Sequence, residues 1–80
     1  MPNLSLEALH DIVEIALDRE VPELTPDVNL YTDIGMDSFG AVAMVVEIQR
    51  KYSVRIPDGE IANLQTPEAV IVYVNKQHIR

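Results

Sequence analysis

The chain has 80 residues, 48% hydrophobic and 24% charged, which is enough for one globular domain with a small core. It has no cysteine, which excludes a disulfide framework, a thiolate metal site and a catalytic thiol. The net charge is -7, and residues 1–48 hold ten acids against one base, Arg19. This balance disfavours nucleic acid and anionic membranes and attracts basic surfaces, although it also fits an ordinary solvated surface.

The first predicted element is an amphipathic helix from Leu6 to Leu17. Apolar residues recur at helical spacing along one arc, with acids on the opposite arc. Asn3 or Ser5 can cap its start. Pro22 disfavours helix at the residue before it, so we expect the helix to end near residues 19–20.

A long connection over residues 22–36 separates this helix from the next. It is rich in the turn formers Pro, Asn, Asp and Gly, and a connection this long in a small domain is either functional or disordered. Four apolar residues argue against disorder and are expected to pin the connection across the core: Val28, Leu30, Tyr31 and Ile34. We expect Gly35 to supply a backbone angle that a residue with a Cβ would resist.

The second helix is predicted from Ser38 to Lys51 and is apolar on two faces. One arc is expected to face the core: Ala41, Met44, Val45, Ile48 and Tyr52. The opposite arc, with Arg50 beside it, is predicted to serve partly as a docking surface: Phe39, Val42, Ala43 and Val46. The alternative is that the long loop or self-association covers this arc. Gly40 would let a partner or a prosthetic group come close.

Two shorter elements complete an all-α chain. A third helix is predicted within residues 57–64, starting at Pro57 and weakened by Gly59. Thr66-Pro67-Glu68 is a helix-start signal. The run 70–74 has strand-like propensity, but we favour helix because the run follows that signal and no other convincing strand exists; a strand is the alternative. The end of the chain, residues 75–80, is expected to fray.

The chain lacks the residues of an active site, and we expect it not to be an enzyme. We find no acid–base pair, metal cluster or phosphate-binding glycine loop in the sequence. His10 lies on the flank of the first helix's apolar stripe, far from the other histidine, His78, and is interpreted as a boundary residue rather than a ligand. Ser38 has no His or Lys near it in sequence to act as a base.

Asp37 and Ser38 stand where the second helix begins. Both are favoured helix N-caps, which is the purely structural interpretation. A helix N-terminus also offers unpaired N–H groups and a positive dipole end, which suit a phosphate ester on its first residue. Asp33 and Asp37 are predicted to help hold a divalent cation such as Mg²⁺ for a modifying enzyme, although simple turn formation explains Asp33 equally well.

The segment Asp33–Phe39, with Leu30-Tyr31 before it and Glu47-Ile48 after it, resembles the phosphopantetheine attachment motif of acyl carrier proteins. The likeness continues through Ile56-Pro57-Asp58 and Thr66-Pro67-Glu68-Ala69 and covers nearly the whole chain. It implies a right-handed up-down four-helix bundle with a short third helix and a long loop between the first and second helices. A single domain is expected over residues 1–80.

The resemblance implies that a phosphopantetheinyl transferase moves 4'-phosphopantetheine from coenzyme A to Ser38, with Asp37 assisting metal-dependent loading. The thiol of the arm would then carry acyl groups as thioesters, so the reactive sulfur belongs to the cofactor. An acyltransferase, a ketosynthase or an adenylating ligase is implied as a further partner. We expect a monomer that acts in the cytoplasm, since no membrane-spanning run or signal peptide is visible.

The second helix departs from the pattern of carriers in fatty acid synthesis, which usually bear several acids there. Here Glu47 is the only acid, and the other positions hold Gly40, Ala43, Gln49, Arg50 and Lys51. Partner recognition is therefore predicted to rely more on apolar contact, through Phe39, Gly40, Val42, Ala43, Val46, Glu47 and Arg50. This points to a specialised pathway such as polyketide or related natural-product assembly.

Two alternatives remain from the sequence. The Asp-Ser-Phe-Gly opening of the second helix also resembles D-alanyl and other aminoacyl or peptidyl carriers, so the cargo could be an amino acid. The competing class is a helical protein-interaction module without a prosthetic group. In that class Ser38 is only a cap, and the apolar arc binds a partner helix.

Overall fold

The computed structural model describes residues 3–77 and contains four α-helices. They are α1 (Leu6–Leu17), α2 (Ser38–Tyr52), α3 (Asp58–Ile61) and α4 (Pro67–Lys76). α1 packs chiefly against α2 and also against α4, and α3 packs against α2. The all-helical prediction is confirmed, and residues 70–74 are helical, so the strand alternative is wrong. The expected fraying of residues 75–80 partly lies outside the described residues, because 78–80 are not among them.

The ends of α1 are set by its two neighbouring residues. The Ser5 side chain accepts a hydrogen bond from the Ala8 N–H at 3.1 Å and caps the start. Asp18 adopts the left-handed conformation with φ of 53° and ends the helix at Leu17. The predicted end near residues 19–20 is therefore too late, because the left-handed Asp18 stops the helix before Pro22 has any effect.

α3 and α4 follow the predicted start signals. α3 is a single turn after Pro57, which precedes the helix instead of opening it. Thr66 caps α4, accepting the Ala69 N–H at 3.2 Å, and Pro67 is its first residue. Val70 and Val74 are fully buried, so packing of this face outweighs the strand propensity of the β-branched run.

The long connection is held to the core by its apolar side chains. Leu30, Ile34 and Met36 are buried, and Val28 and Tyr31 are partly buried and pack against the same core, so the predicted pinning is confirmed. The Leu30 N–H also donates to the carbonyl oxygen of Gln65 at 2.8 Å, which ties the loop to the start of α4. The connection is therefore ordered by burial and by a long-range hydrogen bond.

Side-chain amides tie the extended segments to the helices. Asn75 in α4 pairs with both backbone polar groups of Leu4, at 2.8 and 3.0 Å. Gln77 pairs in the same way with the backbone of Arg55, at 3.1 and 3.0 Å. In each pair the side-chain amide accepts one hydrogen bond from the backbone and donates one to it, as the backbone of a neighbouring strand would. Fewer backbone N–H and C=O groups of the extended segments therefore lack a hydrogen-bond partner.

His10 and Glu14 of α1 together bind the backbone N–H and carbonyl groups of Val21. Glu14 Oε2 accepts the Val21 N–H at 3.0 Å, and His10 Nε2 lies 3.0 Å from the Val21 carbonyl oxygen. The other ring nitrogen lies 3.4 Å from Asp11 Oδ1. His10, Asp11 and Glu14 are close enough to hold a metal ion, but these hydrogen bonds already engage both ring nitrogens and the Glu14 carboxylate.

The His10 contacts predict a stability that depends on pH. The backbone hydrogen bond to Val21, with help from Asp11 and Glu14, raises the pKa of His10 above its ordinary value of 6.5. This stabilisation is fully present below the unfolded pKa and is lost as pH rises through the higher folded pKa. We expect the melting temperature to fall more between pH 5.5 and pH 8 in the wild type than in His10→Gln.

Thermal melts at the two pH values measure this difference, and His78→Gln is the matched control because it removes the other histidine of the chain. An identical pH response in the wild type and in His10→Gln would refute the stabilising role of the His10 contacts.

Replacing either of two glycines by alanine is expected to change the stability of the fold in opposite directions. Gly35 has φ of 85°, a conformation that a residue with a Cβ resists, so Gly35→Ala should destabilise the fold by about 1–2 kcal/mol. Gly59 lies in α3, and a Cβ there meets no atom within 4 Å, so Gly59→Ala should stabilise the fold by about 0.4–1 kcal/mol. Urea denaturation measures both, and equal effects would contradict the loop geometry.

Candidate functional site

Asp37 and Ser38 take distinct roles at the start of α2. Asp37 is the N-cap, with Oδ1 accepting the Gly40 N–H at 2.8 Å, and its carbonyl oxygen accepts the Ala41 N–H at 2.9 Å. Ser38 is the first helical residue and is exposed. The capping role that serine could have taken is filled by the aspartate, which leaves the serine hydroxyl at the positive end of the helix dipole.

The turn before Asp37 is built from a glycine and a buried methionine. Gly35 takes positive φ, as predicted, and is followed by Met36, which is buried and donates its N–H to the Leu30 carbonyl oxygen at 3.0 Å. The Arg19 guanidinium donates to the carbonyl oxygen of Ile34. Ser38 therefore follows a turn that is anchored from both the core and the end of α1.

Asp33 belongs to a hydrogen-bonded loop. Its Oδ2 accepts the Asn29 N–H at 3.0 Å, while Asn29 Oδ1 accepts the N–H groups of Tyr31 and Thr32 at 2.8 and 3.0 Å. This is the turn-forming role that the sequence offered as one of two interpretations. The cation-holding role of Asp33 and Asp37 stays a prediction.

The two arcs of α2 separate as the sequence predicted. Met44 and Ile48 are fully buried, with Ala41 and Val45 beside them in the core, and Tyr52 packs partly buried against it. On the outer arc Phe39 is 87% exposed, Val42 51% and Val46 45%, while Ala43 is partly buried. Within the described residues the long loop does not cover these side chains, so a row of exposed apolar residues leads away from Ser38.

Gly40, which was predicted to let a partner or a prosthetic group come close, faces α1 and the turn instead. It is buried, and a Cβ at this position would lie 2.5 Å from Leu17 Cδ2 and 3.0 Å from Met36 Cγ. The missing side chain makes room for α1 and for the turn, rather than for a partner or a prosthetic group. Gly40, in the first turn of α2, therefore marks the place where α1 and α2 pack closely together.

The charges at the far end of the arc offset one another. Glu47 is the only acid of α2, and its Oε1 accepts from Arg50 Nη1 at 3.2 Å. Arg50 and Lys51 stand in the last turn, where they also complement the helix dipole. The outer face of α2 is therefore mainly apolar, with little net charge to steer a partner.

Sequence reasoning missed a groove beside the turn that precedes Asp37 and Ser38. It lies between the end of α1 and the start of α2 and is lined by Ala16, Leu17, Arg19, Gly35, Asp37, Phe39, Gly40 and Ala43. The only sequence signal at this position was Arg19, the sole base among residues 1–48. Because the groove depends on how two helices pack, periodicity within either helix could not reveal it.

Comparison with known proteins gives a family and a set of relatives. The model of the phosphopantetheine attachment site family matches residues 7–74. The anthracycline acyl carrier protein DauA of Streptomyces sp. (strain C5) is 35% identical over 79 residues, which cover 96% of this chain and 94% of DauA. The meromycolate extension acyl carrier protein of Mycolicibacterium aurum is 34% identical over 71 residues, covering 89% of this chain and 73% of that protein.

The chain therefore belongs to the acyl carrier protein family, whose members hold a phosphopantetheine group. It is a carrier that works with partner enzymes in biosynthesis and is not itself a catalyst. No helix among the described residues is both long and apolar enough to cross a membrane.

A pair of aspartate substitutions tests the two faces of α2. Ile48→Asp places a charge where the side chain is fully buried, and we expect it to unfold the domain. Val46→Asp makes nearly the same change two residues earlier on the exposed arc, so folding should be largely kept while turnover with partner enzymes falls.

Thermal melts and a turnover assay with a partner enzyme measure the two effects. A melt in which Val46→Asp is the more damaging change would show that the two faces are reversed.

Proposed function

We propose that Ser38 is the attachment point of 4'-phosphopantetheine and that the chain presents acyl thioesters on this arm to the enzymes of a polyketide-type pathway. The observation that carries this proposal is the exposed serine at the first position of α2, preceded by a capping aspartate. The family match supplies the chemistry of the group, and the geometry supports this residue as its anchor.

The environment of Ser38 suits a phosphate ester. The hydroxyl stands at a helix N-terminus, where the dipole favours negative charge. The N–H groups of Ser38 and Phe39 stand in the first turn of α2, where no carbonyl of the helix can accept from them. Of the first three N–H groups of α2, the Asp37 side chain takes that of Gly40. The start of α2 can therefore stabilise a phosphate on its own first residue without any basic side chain.

Loading is carried out by a phosphopantetheinyl transferase with coenzyme A and Mg²⁺. The Ser38 oxygen forms a new P–O bond, the phosphoanhydride bond of coenzyme A breaks with release of adenosine 3',5'-bisphosphate, and the hydroxyl proton passes to a base of the transferase. In Asp37, Oδ1 is engaged by Gly40, so Oδ2 is the atom that we assign to the transferase's metal ion. Asp33 can add a second carboxylate only if its bond to Asn29 rearranges. We place this loading in the cytoplasm, where coenzyme A is available.

The cargo is proposed to be acyl rather than aminoacyl. The relatives reported above are acyl carriers, including an anthracycline carrier that matches this chain along nearly its full length. The outer face of α2 is mainly apolar, which supports docking on a dedicated partner enzyme with an apolar surface. Strongly acidic carriers are recognised instead by basic surfaces. The acyltransferase or ketosynthase of such a pathway would dock on Phe39, Val42 and Val46, with the carrier acting as a monomer.

Mass spectrometry of the intact protein tests the attachment point. After incubation with coenzyme A, Mg²⁺ and a broad-specificity transferase, we expect a mass gain of one phosphopantetheine. Ser38→Ala should show no gain, because the hydroxyl that forms the ester is gone. Ser53→Asn is the matched control, since asparagine tolerates the left-handed conformation of Ser53 and the variant keeps Ser38.

Two results would refute the proposed attachment: a wild type that no transferase loads, and a Ser38→Ala protein that still gains the full mass. The class of cargo is settled separately by offering the loaded protein to a malonyl-transferring acyltransferase and to an amino-acid-adenylating ligase. We expect thioester formation with the first enzyme only.

A further inference from the structure

Arg19 makes a contact that its surroundings in sequence do not explain. It is the only base among the first 48 residues and stands between Asp18 and Glu20. Of the three ion pairs found within residues 3–77, none includes Arg19. Its Nη2 donates instead to the carbonyl oxygen of Ile34, 15 residues further along the chain. Its Nη1 also donates to the carbonyl oxygen of Glu20 at 3.5 Å. The guanidinium therefore bonds to backbone carbonyl oxygens, including one of the long connection, and not to the carboxylates of its acidic neighbours.

The bonded carbonyl lies directly before the turn that leads into α2. Gly35 follows Ile34 with φ of 85°, and a Cβ on Gly35 would approach Arg19 Nη2 to 3.4 Å. The guanidinium is thus packed over the turn as well as hydrogen-bonded to it. A charged donor on a carbonyl makes a stronger hydrogen bond than a neutral donor does, so this one contact can restrain the turn measurably.

Arg19 also lines the groove that lies next to Ser38. Asp37 and Phe39, which flank Ser38 in sequence, line this groove together with Arg19. The only arginine or lysine of residues 1–48 is therefore placed beside the turn that precedes Ser38. A single side chain, that of Arg19, therefore contacts the turn and also lies in the groove next to Ser38.

We propose that Arg19 is a positioning residue for attachment of the prosthetic group, acting through the Ile34 carbonyl to fix the Gly35 turn and hence the orientation of Ser38. Its consequence for loading rests on the proposed function, whereas the restraint of the turn is a property of the unmodified chain. A less restrained serine spends less time in the orientation that a transferase needs, so the rate of loading falls without any loss of the hydroxyl.

Hydrogen exchange of the unmodified protein, followed by NMR, tests the restraint directly. The reporter is the Met36 amide, which is bonded to Leu30 just after the turn. We expect Arg19→Gln to speed its exchange on the order of tenfold, the effect of losing one hydrogen bond to a charged donor. Arg19→Lys keeps a charged donor and should restore most of the protection. Arg55→Gln, the matched control, should leave Met36 unchanged.

Loading kinetics test the consequence. With saturating coenzyme A, we expect kcat/KM for the carrier to fall on the order of tenfold in Arg19→Gln and to recover in Arg19→Lys. The melting temperature should fall only moderately, because Arg19 is exposed and its removal leaves no cavity, so the variant stays folded under the assay conditions. Either Met36 exchange within twofold of the wild type or loading at the wild-type rate in Arg19→Gln would overturn the proposal.

Failure of the two proposals can be told apart. If the wild type itself is never loaded, the proposed attachment at Ser38 fails, and the role of Arg19 in loading fails with it. The exchange rates of the unmodified variants still show whether Arg19 restrains the turn, since that measurement needs no prosthetic group.

Discussion

Burial of the connection between α1 and α2 is the constraint on which the proposed attachment site depends. Leu30, Ile34 and Met36 are all buried, and burying each such side chain stabilises the fold by roughly 1.5–3 kcal/mol. They stand on both sides of the Gly35 turn, so the chain cannot slide by one residue without exposing at least one of them. The start of α2 is thereby fixed at Ser38, and the Asp37 cap adds a local hydrogen bond to the same outcome.

The two faces of α2 separate the side chains that stabilise the fold from those that we propose to contact a partner. The inner face, with Met44 and Ile48 fully buried, belongs to the core and ties α2 to α1. The outer face keeps much of Phe39, Val42 and Val46 in contact with water, so these side chains add less to the stability of the isolated domain than the buried ones do. A partner that covers those side chains would remove their apolar surface from water, which favours association. Because Glu47 and Arg50 offset each other nearby, association through this face should depend weakly on salt.

The features that sequence predicted are those with local signals. The caps at Ser5, Asp37 and Thr66 and the glycine of the turn at residue 35 depend on neighbours within a few residues, and the structure contains all of them. The inner and outer arcs of α2 followed in the same way from helical periodicity. The fold and the position of the candidate serine could therefore be inferred before any coordinates were known.

The features that sequence missed depend on contacts between distant residues. Gly40 is buried because Leu17 of α1 packs over it, which no property of α2 alone could indicate. Arg19 bonds to Ile34, and Asn75 bonds to Leu4, because the fold brings segments together that are far apart in sequence. The end of α1 was misplaced since Asp18 adopts a left-handed conformation more typical of glycine or asparagine.

We propose that a turn anchored in the core presents one exposed hydroxyl, that of Ser38, at the start of α2. The most direct test compares backbone amide NMR spectra of the protein before and after loading. We predict that the shifts concentrate in residues 36–41, while the buried Val13, Val70 and Val74 stay unmoved. Shifts spread through the core, or centred on Ser5 or Ser53, would contradict the claim.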